Sequence, residues 1–215
     1  MKIKIFTLLI IAFSLTSFAQ NTAKAKALLD EVSAKVASYD NIYLTFDYIL
    51  DNDQENIHQE TNGNVKIEGE NYHLNFMGIE RIFDGKKVYT IVHEDEEVVI
   101  SDGDSDDESD FTPSKILTFY KKGYKFEWDK LQNIAGKSIQ FIKLIPINND
   151  AEIKYILLGI DTKSKNIYQV VYTGKKNTNT TFKIRLFKAN TTFSPKEFVF
   201  DEAKYTAKDY IITRL

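Results

Sequence analysis

The chain has 215 residues, 43% of them hydrophobic and 27% charged, with a net charge of −3 and no cysteine. The missing cysteines exclude a disulfide-stapled scaffold and lipid attachment through an N-terminal cysteine, so stability has to come from packing. A slight negative charge without any basic block argues against nucleic acid or an anionic membrane surface as a partner.

Residues 1–19 read as a signal peptide, with Lys2 and Lys4 as a positive start, an apolar stretch from Ile5 to Leu15, and a cleavage site at Ser17-Phe18-Ala19. The mature chain is then exported and begins near Gln20. Its remaining residues fit one domain, 20–215, and none of its stretches approaches the ~20 apolar residues a membrane-spanning helix needs. From Thr22 to Tyr39 apolar residues recur at three- and four-residue spacing (Ala27, Leu28, Val32, Val36, Tyr39), which predicts an amphipathic helix with Thr22 as its N-cap.

After Asp40-Asn41 the period becomes two, with Leu44, Phe46, Tyr48 and Leu50 on one side. That alternation recurs in Asn64–Glu68, Tyr72–Met77, Lys87–His93, Glu97–Ser101, Ser138–Ile147, Lys154–Asp161, Ile167–Thr173, Thr180–Ala189 and Tyr210–Arg214. Turn residues separate many of these segments, as at Gly69-Glu70-Asn71, Asp84-Gly85-Lys86 and Glu94-Asp95-Glu96. The pattern predicts a mainly β (α+β) fold. Its antiparallel sheet, of about eleven strands, is too wide to stay flat and curls into an unclosed half-barrel. With 15 Phe and 12 Tyr, its inner face is expected to be rich in rings.

Residues 102–110 carry six carboxylates. An EF-hand loop from Asp102 would need glycine where Asp107 stands and glutamate where Pro113 stands, so calcium binding of that kind is excluded. The clustered acids instead favour a hydrated hinge. Asp110, Thr112 and Pro113 then suit the start of a short helix that Gly123 can close.

Four stretches carry a family resemblance: "NGNVKIEGENYHLNF" (62–76), "FDGKKVYTIVHEDEEVVIS" (83–101), "FTPSKIL" (111–117) and "FKANTTFSPKEFVFD" (187–201). In this order, behind a signal peptide, the chain resembles the LolA-type periplasmic carriers of outer-membrane lipoproteins. The resemblance implies an unclosed barrel whose concave face, lidded by an N-terminal helix and a short helix, encloses acyl chains. It also implies an inner-membrane releasing complex that supplies the cargo and an outer-membrane acceptor that receives it, and a carrier that hands its cargo on is most simply a monomer. On that reading Phe46, Tyr48, Leu74, Phe76, Val88, Ile91, Phe141, Ile156, Leu158, Phe182 and Ile184 line the cavity, and Ile116, Leu117 and Phe119 belong to the lid. Gly69, flanked by two acids, stands at the turn where relatives carry a basic, proline-containing sequence.

Arg81 and Arg185 each interrupt an apolar strand. Pointing inward, Arg81 would meet a lipid headgroup; the plain reading of both is an outward residue paired with an acid, and alternation with Ile184 and Leu186 favours it for Arg185. Only His58, His73 and His93 are available as bases, and neither a nucleophile elbow, a phosphate loop nor a zinc-ligand spacing occurs. The chain is therefore expected to be no enzyme and to need no cofactor or metal. Two functions fit: a carrier for acylated lipoproteins or other lipids, and a module of the same fold that senses or binds a partner protein through its lid face.

Overall fold

The computed structural model describes residues 2–103, 117–148 and 151–215, with side chains from Gln20 onward. In chain order the elements are α1 (Lys2–Ala37), β1 (Asn41–Asn52), β2 (Ile57–Glu68), β3 (Asn71–Phe76), β4 (Ile79–Phe83), β5 (Lys87–Val92), β6 (Glu97–Asp102), a 3-10 turn (Phe119–Lys121), β7 (Tyr124–Ile134), β8 (Lys137–Pro146), β9 (Ile153–Asp161), β10 (Ile167–Gly174), β11 (Asn179–Ala189), α2 (Glu202–Thr206) and β12 (Ile211–Arg214). The fold is mainly β, as the alternation predicts. Hydrogen bonding gives the order β12-β6-β5-β4-β3-β2-β1-β11-β10-β9-β8-β7. Twelve strands with two unjoined ends make an unclosed sheet, one strand larger than expected. Among the described residues no helix is long and apolar enough to cross a membrane.

The chain divides into two compact units, the first from residues 1–36 and 120–179, the second from 37–119 and 180–215. In the first, α1 buries Ala25, Leu28, Leu29 and Val32. Their three- and four-residue spacing makes one apolar stripe. Thr22 is not the N-cap, because the helix starts far upstream of it; its hydroxyl instead donates to the Phe126 carbonyl at 3.4 Å. The meander β7-β8-β9-β10 places Ile142 opposite Leu158 and Leu158 opposite Val170, while Leu144, Ile156 and Tyr172 form the adjoining row of the same face. Ile142, Leu144, Ile156, Leu158 and Ile160 are completely buried. On the other face the Phe141 ring lies across Gly159, and Ile139, Phe141 and Tyr168 pack together. β7 bulges between Trp128 and Leu131, and the buried Gln140 side chain donates to the Asp129 carbonyl at 2.7 Å, tying the bulge to β8.

In the second unit β1 to β6 form an antiparallel meander flanked by β11, which is ordered next to β1. Asn52 caps the β1–β2 turn by accepting from the amides of Gln54 and Glu55 at 3.1 and 3.2 Å. Gly69 and Gly85 take positive φ of 61° and 92° in the two turns predicted around them. β12 departs from the expected all-antiparallel pattern: it runs parallel to β6, with Ile211 opposite Glu97 and Arg214 opposite Ile100. The segment between β11 and β12 crosses back over the sheet and includes α2, whose N-cap Asp201 accepts from the Lys204 amide at 3.2 Å.

Candidate functional site

The ladders of the second unit sort its strand residues onto two faces. Direct partners Phe46–Gly63–Phe76 form one row, Leu44–Val65–Leu74–Arg81 the next, and Ile42–Ile67–Tyr72–Phe83–Val88 a third, all on one side. Because β2 has glycine at the middle of the first row, the rings on either side meet over it. Phe46 and Phe76 lie 5.5 Å apart, Phe46 and Phe182 5.7 Å, Tyr48 and Phe76 5.2 Å, and Tyr48 and Phe182 5.3 Å. Four predicted lining residues from β1, β3 and β11 thus form one aromatic box. Phe46 is buried, and the other three are half-buried. A Cβ at Gly63 would stand 2.5 Å from Phe46 Cζ and 2.9 Å from the Asn75 carbonyl, so the close approach of the rings requires glycine there.

Leu74 and Val88 share the box's face, and Arg81 sits directly across from Leu74 in the same apolar row. Ile184, two residues after Phe182 on β11, is half-buried. Arg185 takes the plain reading: its Nη1 donates to Asp47 Oδ1 at 3.2 Å, and it is exposed.

Ile91 belongs to the other face. It is completely buried with Ile82, Val98, Ile100 and Tyr205 in a cluster bordered by Phe200 and Tyr210. Phe141 and Leu158 likewise cannot line one surface, since the β8–β9 register pairs Phe141 with Gly159 and Ile142 with Leu158, on opposite sides. Leu158 and Ile156 are completely buried in the first unit. Leu117 is buried and Phe119 half-buried just before and within the 3-10 turn. Ile116, the start of the predicted helix at Pro113 and acids 104–110 lie outside the described residues. In the first unit, Leu29 and Asp30 of α1, with Tyr120 and Phe126, border a cleft of about 210 Å³. Burial, with the Asp30 charge, pushes the Tyr120 hydroxyl up to about 12.

A polar network, whose Glu80, Glu197 and Lys66 carry no local sequence signal, lies with Ile91 on the reverse face. His73 Nε2 meets Glu80 Oε1 at 2.9 Å and its Nδ1 meets Glu197 Oε1 at 3.0 Å, while Lys66 Nζ donates to the same Glu197 oxygen at 2.6 Å. Tyr205 donates to Glu80 Oε2 at 3.0 Å, and His93 Nε2 lies 3.3 Å from that oxygen. Burial pulls the His73 imidazole down, but hydrogen bonds and charge from Glu80 and then Glu197 outweigh it and hold the group above its ordinary value. The hydrogen bond from His73, against burial and with help from Tyr205, holds Glu80 at about 2. This network and the ring stacks Tyr89–Phe200 and Phe200–Tyr205, with centroids 4.6 and 5.3 Å apart, pin the segment from Glu197 to Tyr210 onto the sheet. The Phe-x-Phe pair at 198 and 200 was the sequence signal for it. Among the described residues no cluster of His, Asp and Glu has the form of a metal site.

The family model described as "Outer membrane lipoprotein carrier protein LolA" matches residues 77–201. No curated protein matches the chain. Among solved structures, an uncharacterized conserved protein from Thermus thermophilus is similar with a TM-score of 0.60 at 13% identity, over 89% of this chain and 99% of that one. A putative outer membrane lipoprotein-sorting protein domain from Vibrio parahaemolyticus gives a TM-score of 0.47 at 12% identity, over 83% and 97% of the two chains. The MucA/MucB complex of Pseudomonas aeruginosa gives 0.41 at 13%, over 83% of this chain and 61% of that one. The Thermus likeness shows the fold alone.

Proposed function

Because the chain belongs to the family of LolA outer membrane lipoprotein carrier proteins, matched by that family's model over 77–201, we propose that it is a periplasmic carrier, exported by a cleaved signal peptide, that binds the acyl chains of lipoproteins and shuttles them from the inner to the outer membrane. The observation that carries this reading is the aromatic box of Phe46, Tyr48, Phe76 and Phe182, built over a glycine on a face otherwise lined by Leu74 and Val88. Each acyl methylene taken out of water gains roughly 0.8 kcal/mol, so a carrier needs broad apolar surface rather than a few polar contacts. Half-buried rings suit a ligand that must also leave, since they can shift without opening a packed core. Arg81, in the row beside the box, would meet the ester carbonyls or the polar head of the cargo while its neighbours hold the chains. The protein then works as a binding protein without chemistry of its own.

The test is binding of a fluorescent long-chain acyl probe to purified protein, displaced by a triacylated lipopeptide. Phe76→Ala and Phe182→Ala, singly, are expected to weaken the probe by about tenfold each, in line with the loss of a large buried apolar contact. A wild-type protein that binds neither probe nor lipopeptide refutes acyl carriage. Depletion in the native host separates cargoes: lipoproteins retained in the inner membrane support lipoprotein transport, and unchanged sorting refutes it.

A further inference from the structure

On the reverse face of the box's own strands Asn62, Asn64, Asn75 and His93 border a second depression, of about 240 Å³, with Met77 at its rim and Phe76 and Ile79 reaching its edge from the box's side. Asn64 and Asn75 are direct partners across β2 and β3, in the row that continues to Glu80 and Ile91, and therefore face away from Phe46 and Phe76. None of the three asparagine side chains makes a hydrogen bond with another described residue. Three carboxamides, each offering donors and an acceptor, thus border one hollow without a protein partner among the described residues. His93, by contrast, is engaged by Glu80 and by the Tyr210 hydroxyl at 3.2 Å. At the rim the turn residue Met77 is 50% exposed, an apolar border to a polar floor.

We propose that this depression binds a neutral, N-acetylated sugar. Convergent polar groups beside an apolar rim are the ordinary make-up of a small-molecule site. The carboxamides match hydroxyl and acetamido groups, which also both donate and accept, and Met77 matches the C–H face of a pyranose or the acetamido methyl. An anionic or cationic ligand would need an uncommitted countercharge, whereas the neighbouring Glu80, His73 and Lys66 are committed to one another or to Glu197. A peptide added as a strand is excluded, because β2 and β3 are each already paired on both sides.

The experiment titrates the full-length, isotope-labelled protein with N,N′-diacetylchitobiose and follows backbone and asparagine side-chain amide resonances. Saturable shifts confined to residues 62–64, 75–79 and 93 are expected, with maltose at least about tenfold weaker because it lacks the acetamido groups. Asn64→Ala combined with Asn75→Ala should lower the affinity by about tenfold or more, and Met77→Ser, a change at an exposed rim position, should weaken it as well. The absence of saturable shifts in the wild-type protein, or undiminished affinity in both variants, overturns the site. Equal binding of maltose overturns the acetamido assignment.

Discussion

Replacing Gly63 with alanine tests the aromatic box at its centre. The new Cβ would sit 2.5 Å from Phe46 Cζ, 3.0 Å from its Cε2 and 2.9 Å from the Asn75 carbonyl. The glycine's φ lies outside the left-handed region, so the cost comes from contact and not from backbone strain. Phe46 has little room to yield, because it is buried against Phe76 and Phe182. Swinging it aside forfeits two ring pairs worth about 0.5–1.5 kcal/mol each, and overpacking of this kind typically costs about 1–3 kcal/mol in all. We therefore expect Gly63→Ala to lose about 2–3 kcal/mol, or about 4–12 °C in Tm for a chain of this size, measured by chemical and thermal denaturation. Phe46→Leu shortens the obstructing ring but leaves the Asn75 carbonyl in place. In that background alanine should cost less by about 1 kcal/mol, a coupling that a double-mutant cycle resolves. A loss below about 0.5 kcal/mol for Gly63→Ala, or strict additivity with Phe46→Leu, refutes the claim that the rings close over this glycine.

The His73 network makes stability depend on pH from both sides. The raised His73 group contributes fully below its ordinary 6.5, and that contribution is lost as pH rises through its folded value. The lowered Glu80 contributes fully above its ordinary 4.5, and its contribution fades as pH falls toward about 2. Hydrogen exchange of residues 197–210, facing Glu80, His73, His93 and Lys66, is thus expected to be slowest relative to its intrinsic rate between pH 4.5 and 6.5. His73→Gln should abolish the alkaline decline, and a variant that keeps the wild-type profile would show that another group controls it. Gln140→Leu removes the buried donor that ties the β7 bulge to β8. It should cost about 1–3 kcal/mol in denaturant unfolding with an unchanged m value, and a neutral result would mean that the bulge carbonyls find another donor.

Much of the fold was legible because single faces are buried. Leu44, Phe46 and Tyr48 alternate cleanly, and Gly69 and Gly85 mark turns that need positive φ. Two strands escaped the period-two reading. β4 is only five residues long, and β7, at one end of the sheet, is largely exposed and has its alternation broken by the bulge at Asp129-Lys130. β2 was traced only from Asn64 because its first half, from Ile57 to Asn62, is polar and mostly exposed. The site was half legible for a related reason. Periodicity says which residues share a strand face, but not which of two buried faces will carry a ligand. Periodicity thus groups Phe46 and Phe76 with Ile91, which register places on the other side. The His73–Glu80–Glu197 cluster joins residues 124 positions apart in the chain, and no local pattern announces a contact of that span.

That long reach bears on how the protein is made. Asn41, at the start of β1, donates to the Thr191 carbonyl at 2.7 Å and accepts from its amide at 2.9 Å, across 150 residues of chain. The second unit draws one part from residues 37–119 and the other from 180–215, so its ladders and its overlying strap stay incomplete until β11, the strap and β12 have been synthesised. The hairpins of the first unit, by contrast, close over short loops. Contacts this distant in sequence make folding slow, because the entropy of a long loop is lost before the contact repays it. Throughout that interval Phe46, Tyr48 and Phe76 are already made and exposed while their partner Phe182 is still missing. The ring-rich surface that suits a greasy cargo is also the nascent chain's main aggregation hazard.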